Sequence, residues 1–110
     1  MRYYDGLETQ TSEQRAAYIA EALPAQIAHA KQLPGYADRF ERVTASEITD
    51  VQALATLPVL RKSELSNAQR PGSILGGFVH KPLYEFGHIF HSPGPLYEPG
   101  GTGHDWWRMG

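Results

Sequence analysis

The stretch Tyr84-Glu85-Phe86-Gly87-His88-Ile89-Phe90-His91-Ser92-Pro93-Gly94-Pro95-Leu96-Tyr97-Glu98 decides the fold class. From Tyr84 to His91 the residues Tyr84, Phe86, His88 and Phe90 fall on alternate positions, so they share one face of a predicted strand. Ser92-Pro93-Gly94-Pro95 then marks a turn, and Leu96-Tyr97-Glu98 predicts a returning strand. Beyond it, Gly100-Gly101-Thr102-Gly103 predicts a flexible loop, with Asp105 placed to cap a helix opening at Trp106. Five residues, Trp106 to Gly110, cannot nucleate a helix by themselves. Further chain after Gly110 is therefore expected, to support that helix and to cover Trp106 and Trp107.

Upstream of this stretch the composition changes near Pro71. All 12 alanines precede it, while 9 of the 11 glycines, 4 of the 5 histidines and 7 of the 12 aromatic residues follow it. Alanine favours helix, whereas aromatic residues favour strands and glycine favours turns. Residues 1–70 are thus predicted to be a helical segment, and residues 71–110 to hold strands and loops.

The helical half has readable starts. Thr11-Ser12-Glu13-Gln14 fits a capping box, in which the Thr11 hydroxyl and the Gln14 amide satisfy free N–H groups. Ile19, Leu23, Ile27 and Ala30 follow at helical spacing and predict one buried stripe. Pro24 lies inside that run; its missing N–H and its ring predict a kink or a break there. Pro34-Gly35 ends the run, and Tyr36-Ala37-Asp38-Arg39-Phe40 predicts a further turn. Thr49-Asp50-Val51-Gln52 predicts a second capped helix that stops before Pro58, and Ser63-Glu64-Leu65 a third ending near Pro71. Ser73 to Phe78 predicts an ordered loop.

Bulk properties narrow the function classes. A chain of 110 residues with 41% hydrophobic and 20% charged residues is that of a folded domain rather than a disordered segment. The net charge of −2 gives no basic surface for nucleic acid. The absence of cysteine removes disulfides, thiolate metal sites and cysteine nucleophiles together. No apolar run approaches the roughly 20 residues that span a bilayer, and Met1 to Asp5 lacks the apolar stretch of a signal peptide. A cytoplasmic location without membrane or nucleic-acid partners is expected.

Single motifs give no activity. His88 and His91 form an H-x-x-H pair, with His80 and His104 near in sequence. Positions i and i+3 of a strand point to opposite faces, so the pair does not converge on zinc unless the strand bends. Solvent-facing or hydrogen-bonded histidines are the expectation, and no metal site is assigned. A phosphate cradle needs consecutive backbone N–H groups, which Pro93 and Pro95 cannot supply. The Gly100–Gly103 run has its N–H groups, but Asp105 would set a carboxylate near any anion; a loop before a capped helix is the expectation. Arg61-Lys62 is the densest basic spot and predicts a solvated helix start.

The order of the segments is more informative. Tyr4-Asp5-Gly6-Leu7-Glu8-Thr9 precedes Ser12-Glu13-Gln14-Arg15. Then come Leu23-Pro24-Ala25-Gln26, His29-Ala30 and Pro34-Gly35-Tyr36. Leu57-Pro58-Val59-Leu60-Arg61-Lys62-Ser63-Glu64-Leu65 follows, and finally Phe90-His91-Ser92-Pro93-Gly94-Pro95. This series resembles the N-terminal region of the phenylacetate–CoA ligase-like branch of the AMP-forming acyl-CoA synthetases. It covers essentially the whole chain but only about a quarter of a family member, and Leu57 to Leu65 is its most specific element.

The resemblance implies an α+β fragment, its N-terminal helices leading into a strand-turn-strand that begins the α/β large domain of an adenylate-forming enzyme. It implies a ligase reaction in the full-length protein: a small carboxylic acid and ATP, with Mg, form an acyl-adenylate, and the acyl group then passes to coenzyme A. The remainder of its own chain would be this region's partner, and neither catalysis nor a bound cofactor is expected of these residues alone. The family's phosphate loop would align with His91 to Pro99. Ser92 and Gly94 match its character and are assigned as phosphate-proximal, whereas its threonine pair, second glycine and lysine are absent. Catalytic residues would lie downstream of Gly110.

Two other classes compete. A non-catalytic interaction module would expose Phe78, Tyr84, Phe86, Phe90, Tyr97, Trp106 and Trp107 as an aromatic docking surface, through which the chain could also form homo-oligomers. A metal-binding domain would use His80, His88, His91 and His104.

Overall fold

The computed structural model describes Tyr3 and residues 5–101, which form a small α+β fold. Four α-helices precede Pro71: α1 (Ser12–Lys31), α2 (Pro34–Ala37), α3 (Val51–Leu54) and α4 (Lys62–Ala68). Two strands follow it, β1 (His88–Ser92) and β2 (Leu96–Gly100), paired antiparallel from His88↔Gly100 to Ser92↔Leu96. Short 3-10 turns at Gly6–Thr9, Ala45–Glu47 and Leu83–Glu85 link these elements. No helix among the described residues is long and apolar enough to cross a membrane.

α1 begins where its capping box predicts. Gln14 N–H donates to Thr11 Oγ1 at 3.2 Å, and Thr11 N–H donates to Gln14 Oε1 at 2.9 Å, so two otherwise orphaned donors are satisfied reciprocally. The expected stripe follows: Ile27 and Ala30 are buried, and Ile19 and Leu23 are half-buried. Pro24 does not split the helix, which runs unbroken for 20 residues. Proline removes one N–H, the one that would bond the Ala20 carbonyl, and the buried contacts at Ile27 and Ala30 hold the following turns in place.

The core is small. Ile27 and Ala30 of α1 pack with Phe40 and Ile48, and Leu23, Tyr36, Val43, Ala45, Ala53 and Leu57 surround them. The Lys31 ammonium donates to the Val43 carbonyl, tying the end of α1 to the loop across this core. α2 opens with Pro34 at its first position, where the missing N–H costs nothing. α3 is capped one residue later than Thr49 predicts: Asp50 Oδ1 accepts from Ala53 N–H at 2.7 Å. A carboxylate at this position reaches the third helical N–H and favours the positive end of the helix.

The second half departs from the predicted pattern at one end. The strand starts at His88 rather than Tyr84, because Leu83–Glu85 closes a 3-10 turn after Pro82, with Phe86 N–H donating to the Leu83 carbonyl at 3.3 Å. The returning strand is as predicted but longer, and it takes in Gly100, which the glycine-loop expectation had placed outside it. The Asp105 cap and the Trp106 helix lie outside the described residues.

An aromatic ladder fastens the halves together. Gly35 N–H donates to the Gly77 carbonyl at 2.9 Å, and the Phe78 ring lies over Gly35 so closely that a Cβ there would sit 2.6 Å from it. Phe78 meets Tyr36 edge to face, with centroids 5.0 Å apart, and Tyr36 stacks on Phe40 at 5.1 Å. Gly77 has φ +82°, a left-handed conformation that glycine adopts without strain. The predicted ordered loop is thus held by the core of the helical half.

Candidate functional site

The residues assigned as phosphate-proximal lie at the tip of the β1–β2 hairpin. Ser92 closes β1 opposite Leu96, and Pro93-Gly94-Pro95 makes the connection, with a cis Gly94–Pro95 peptide and Gly94 at φ +145°. Only Gly94 among these three connecting residues carries an N–H, since proline has none. The Ser92 hydroxyl is enclosed and makes no hydrogen bond among the described residues, so contact with an anion requires it to change rotamer. As it stands, the tip offers one N–H between two prolines rather than a run of convergent donors.

The hairpin is held from outside by one side chain. Gln69, just past the end of α4, donates from Nε2 to the Tyr97 carbonyl at 2.7 Å and accepts from Tyr97 N–H at Oε1 at 2.8 Å. Both main-chain groups of Tyr97 therefore face away from β1, and the carboxamide takes the place that a neighbouring strand would occupy. Pro99 on the same strand has no N–H to offer along that edge. At the other end, a Cβ on Gly100 would meet the Phe90 ring at 2.9 Å.

The histidines are spread over separate settings. His80 meets His29 of α1 edge to face with centroids 4.7 Å apart, His88 stacks with Phe90 at 5.9 Å, and His91 tilts against its cross-strand partner Tyr97 at 6.3 Å. No three histidine, aspartate or glutamate residues cluster as metal ligands among the described residues, and His104 lies outside them. Of the aromatic residues, Phe78 is folded onto Tyr36, and Phe86, Phe90 and Tyr97 are half-buried, while Tyr84 is 85% exposed. Trp106 and Trp107 lie outside the described residues.

The Leu57–Leu65 element is pinned by charge. Glu64 Oε2 accepts from Arg61 N–H at 2.8 Å and Oε1 accepts from Arg39 Nη2 at 3.0 Å, while Arg39 Nη1 donates to the Val59 carbonyl at 3.2 Å. The Arg61 N–H, and after it the Arg39 guanidinium, hold the Glu64 carboxyl below its usual pKa. Leu57 and Leu65 are half-buried, and Lys62 opens α4 exposed to solvent. Sequence reasoning overlooked both Gln69 and Arg39, whose partners lie 28 and 25 residues away.

No protein-family model matches the chain, and no curated protein matches it.

Proposed function

We propose that this chain is the N-terminal region of a phenylacetate–CoA ligase-like adenylate-forming protein, a ligase that activates a small carboxylic acid with ATP and Mg and transfers it to coenzyme A. The observation that supports the reading is the β1–β2 hairpin, with Ser92-Pro93-Gly94-Pro95 at its tip, downstream of the helical half and joined to it through the Ser73–Phe78 loop. That is the placement the resemblance implies for the phosphate loop.

The residues present do not make a triphosphate cradle. One N–H at Gly94, flanked by two prolines, with an enclosed Ser92 hydroxyl, lacks the convergent donors that an anion of that charge needs. Ser92 and Gly94 are therefore read as lying beside the nucleotide, and no chemical step is assigned to residues of this chain. The region supplies the hairpin and its helical support, and the reacting groups come from further along the gene product.

The test is calorimetric titration of ATP·Mg into the product of the uninterrupted reading frame and into the 110-residue chain, alongside acid-dependent ATP–pyrophosphate exchange. Micromolar binding and exchange by the longer product, with no binding to the short chain, are expected. A stop codon directly after Gly110, or a longer product that neither binds nucleotide nor exchanges pyrophosphate, overturns the reading. Micromolar binding by the 110-residue chain overturns its incompetence alone.

A further inference from the structure

A cleft of about 390 Å³ lies in the glycine-rich loop between α4 and the hairpin. Gly72, Gly76 and Gly77 take φ values of +87°, +66° and +82° there, a path that other residues follow only with strain. Gly76 N–H donates to the Ser73 carbonyl at 2.9 Å and Gly35 N–H to the Gly77 carbonyl at 2.9 Å, which fixes the loop to itself and to α2. The lining is mostly apolar, and Ile74 and Leu83 keep 43% and 46% of their surface exposed. One hydroxyl, at Ser73, and one ammonium, at Lys81, are too few polar groups to orient a polar ligand. What suits the cleft is an apolar cover that takes Ile74 and Leu83 out of water.

The chain leaves the hairpin beside this cleft. Phe86 N–H donates to the Leu83 carbonyl at 3.3 Å, and Gly87 N–H donates to the Gly100 carbonyl at 3.1 Å. Two hydrogen bonds and one residue step therefore separate Leu83 from the end of β2, a path of about 10 Å. Gly101 is exposed, and a Cβ on it would meet no described residue within 4 Å. From Gly101 the chain to Trp106 reaches at most about 17 Å, enough to return over Leu83. Trp106 and Trp107 are the two tryptophans of the sequence. An indole combines a large apolar face with one N–H donor, for which the Ser73 hydroxyl is an acceptor within the lining.

We propose that the Trp106-Trp107 segment folds back onto this cleft and lays an indole over Ile74 and Leu83. The cover that the tryptophans require then comes from upstream in the same chain, whether or not more chain follows Gly110. A second cleft, of about 370 Å³ between the start of α1 and α3, has polar or charged side chains at five of its eight lining positions, Arg15 and Asp50 among them. It suits an indole poorly. A second copy carries the same tryptophans, but the short tether holds the chain's own segment at an effective concentration in the millimolar range. In micromolar protein the tethered segment therefore fills the cleft first. Neither Ser92 nor Gly94 lines the cleft, so this docking stands apart from the adenylating reading.

Tryptophan fluorescence of the 110-residue chain tests this directly, since no other tryptophan contributes. Emission is expected to be blue-shifted from that of N-acetyl-tryptophanamide and slow to quench with acrylamide. Nuclear Overhauser contacts should join an indole to the Ile74 and Leu83 methyl groups. Leu83→Ser and Ile74→Ser should each shift emission to the red and raise quenching, while Val51→Ser in the second cleft should leave both unchanged. Unchanged amide shifts across α1 would show that the variants stay folded. In the converse variant, Trp106→Ala with Trp107→Ala, the Ile74 and Leu83 methyl signals should move. Indoles that quench like the free amide overturn the docking, as do Ile74 and Leu83 variants that release neither indole, or methyl signals indifferent to loss of the tryptophans. Emission that shifts to the red on dilution also overturns it, and gives the cleft to a second copy.

Discussion

Gln69 and Tyr97, 28 residues apart, are joined through a side-chain carboxamide and a main chain by two hydrogen bonds of 2.7 and 2.8 Å. A two-stranded hairpin is marginal by itself in water. Here its outer strand is bonded on one side to β1 and on the other to Gln69, so the tip carrying Ser92 and Gly94 is referenced to the helical half.

Replacing that carboxamide should therefore loosen the hairpin selectively. Gln69→Ala leaves both Tyr97 groups without their partner and is expected to cost about 1–3 kcal/mol, with the Tyr97 amide exchanging faster in hydrogen–deuterium exchange. Gln69→Glu keeps the shape but loses the donor and sets a carboxylate against the Tyr97 carbonyl. It should be as damaging at neutral pH and partly recover in acid, where the carboxyl donates again. Unchanged Tyr97 exchange in both variants would deny the clasp.

The close crossing of Gly35 and Phe78 makes a second prediction. Gly35→Ala puts a methyl group 2.6 Å from the ring, so the ring must leave its edge-to-face contact with Tyr36. Overpacking of this kind costs about 1–3 kcal/mol, read as a lower urea midpoint. In a double-mutant cycle with Phe78→Ala the two losses should be non-additive, because truncating the ring also removes the clash. Strict additivity would mean that the two positions act independently.

Glu64 sets an acid limit on the Leu57–Leu65 segment. Its folded pKa lies below the ordinary value of 4.5, chiefly through the Arg61 N–H and then through Arg39. A depressed carboxylate contributes stability that is complete above the unfolded pKa and is lost as pH falls through the folded one. Unfolding midpoints measured downward from pH 5 should thus decline, and Glu64→Gln should flatten that part of the decline while lowering stability at pH 7. An identical acid profile in wild type and variant would show that other carboxylates govern it.

These features differ in how far they could be read from sequence. The Thr11–Gln14 box and the Ser92–Pro95 turn were legible because each is decided within four residues by hydrogen bonding or by proline. The start of β1 was not, because Tyr84 to His91 alternates as a strand should while Pro82 commits Leu83–Glu85 to a turn. Period alone does not see that competition. Nor could Gln69 or Arg39 be found, since a polar residue at a helix end carries no local mark of a partner 25 or more residues away. The hairpin tip was legible as a turn, whereas the enclosure of the Ser92 hydroxyl depends on packing around it.

Pro24 offers the sharpest test of how tertiary contacts override a local signal. Its position predicts a kink or a break, yet α1 continues to Lys31, so the contacts at Ile27 and Ala30 must offset the missing N–H bond. Pro24→Ala restores a donor for the Ala20 carbonyl and removes the ring's clash with that turn. Proline in a helix interior costs about 3 kcal/mol relative to alanine; part of that gain is lost because alanine also frees the unfolded chain. A net stabilisation of about 1–2 kcal/mol is expected, with slower amide exchange from Leu23 to Ala28. If Pro24→Ala instead destabilises the chain, the half-buried ring contributes packing that outweighs the hydrogen bond, and the helix is held at Pro24 because of the proline rather than despite it.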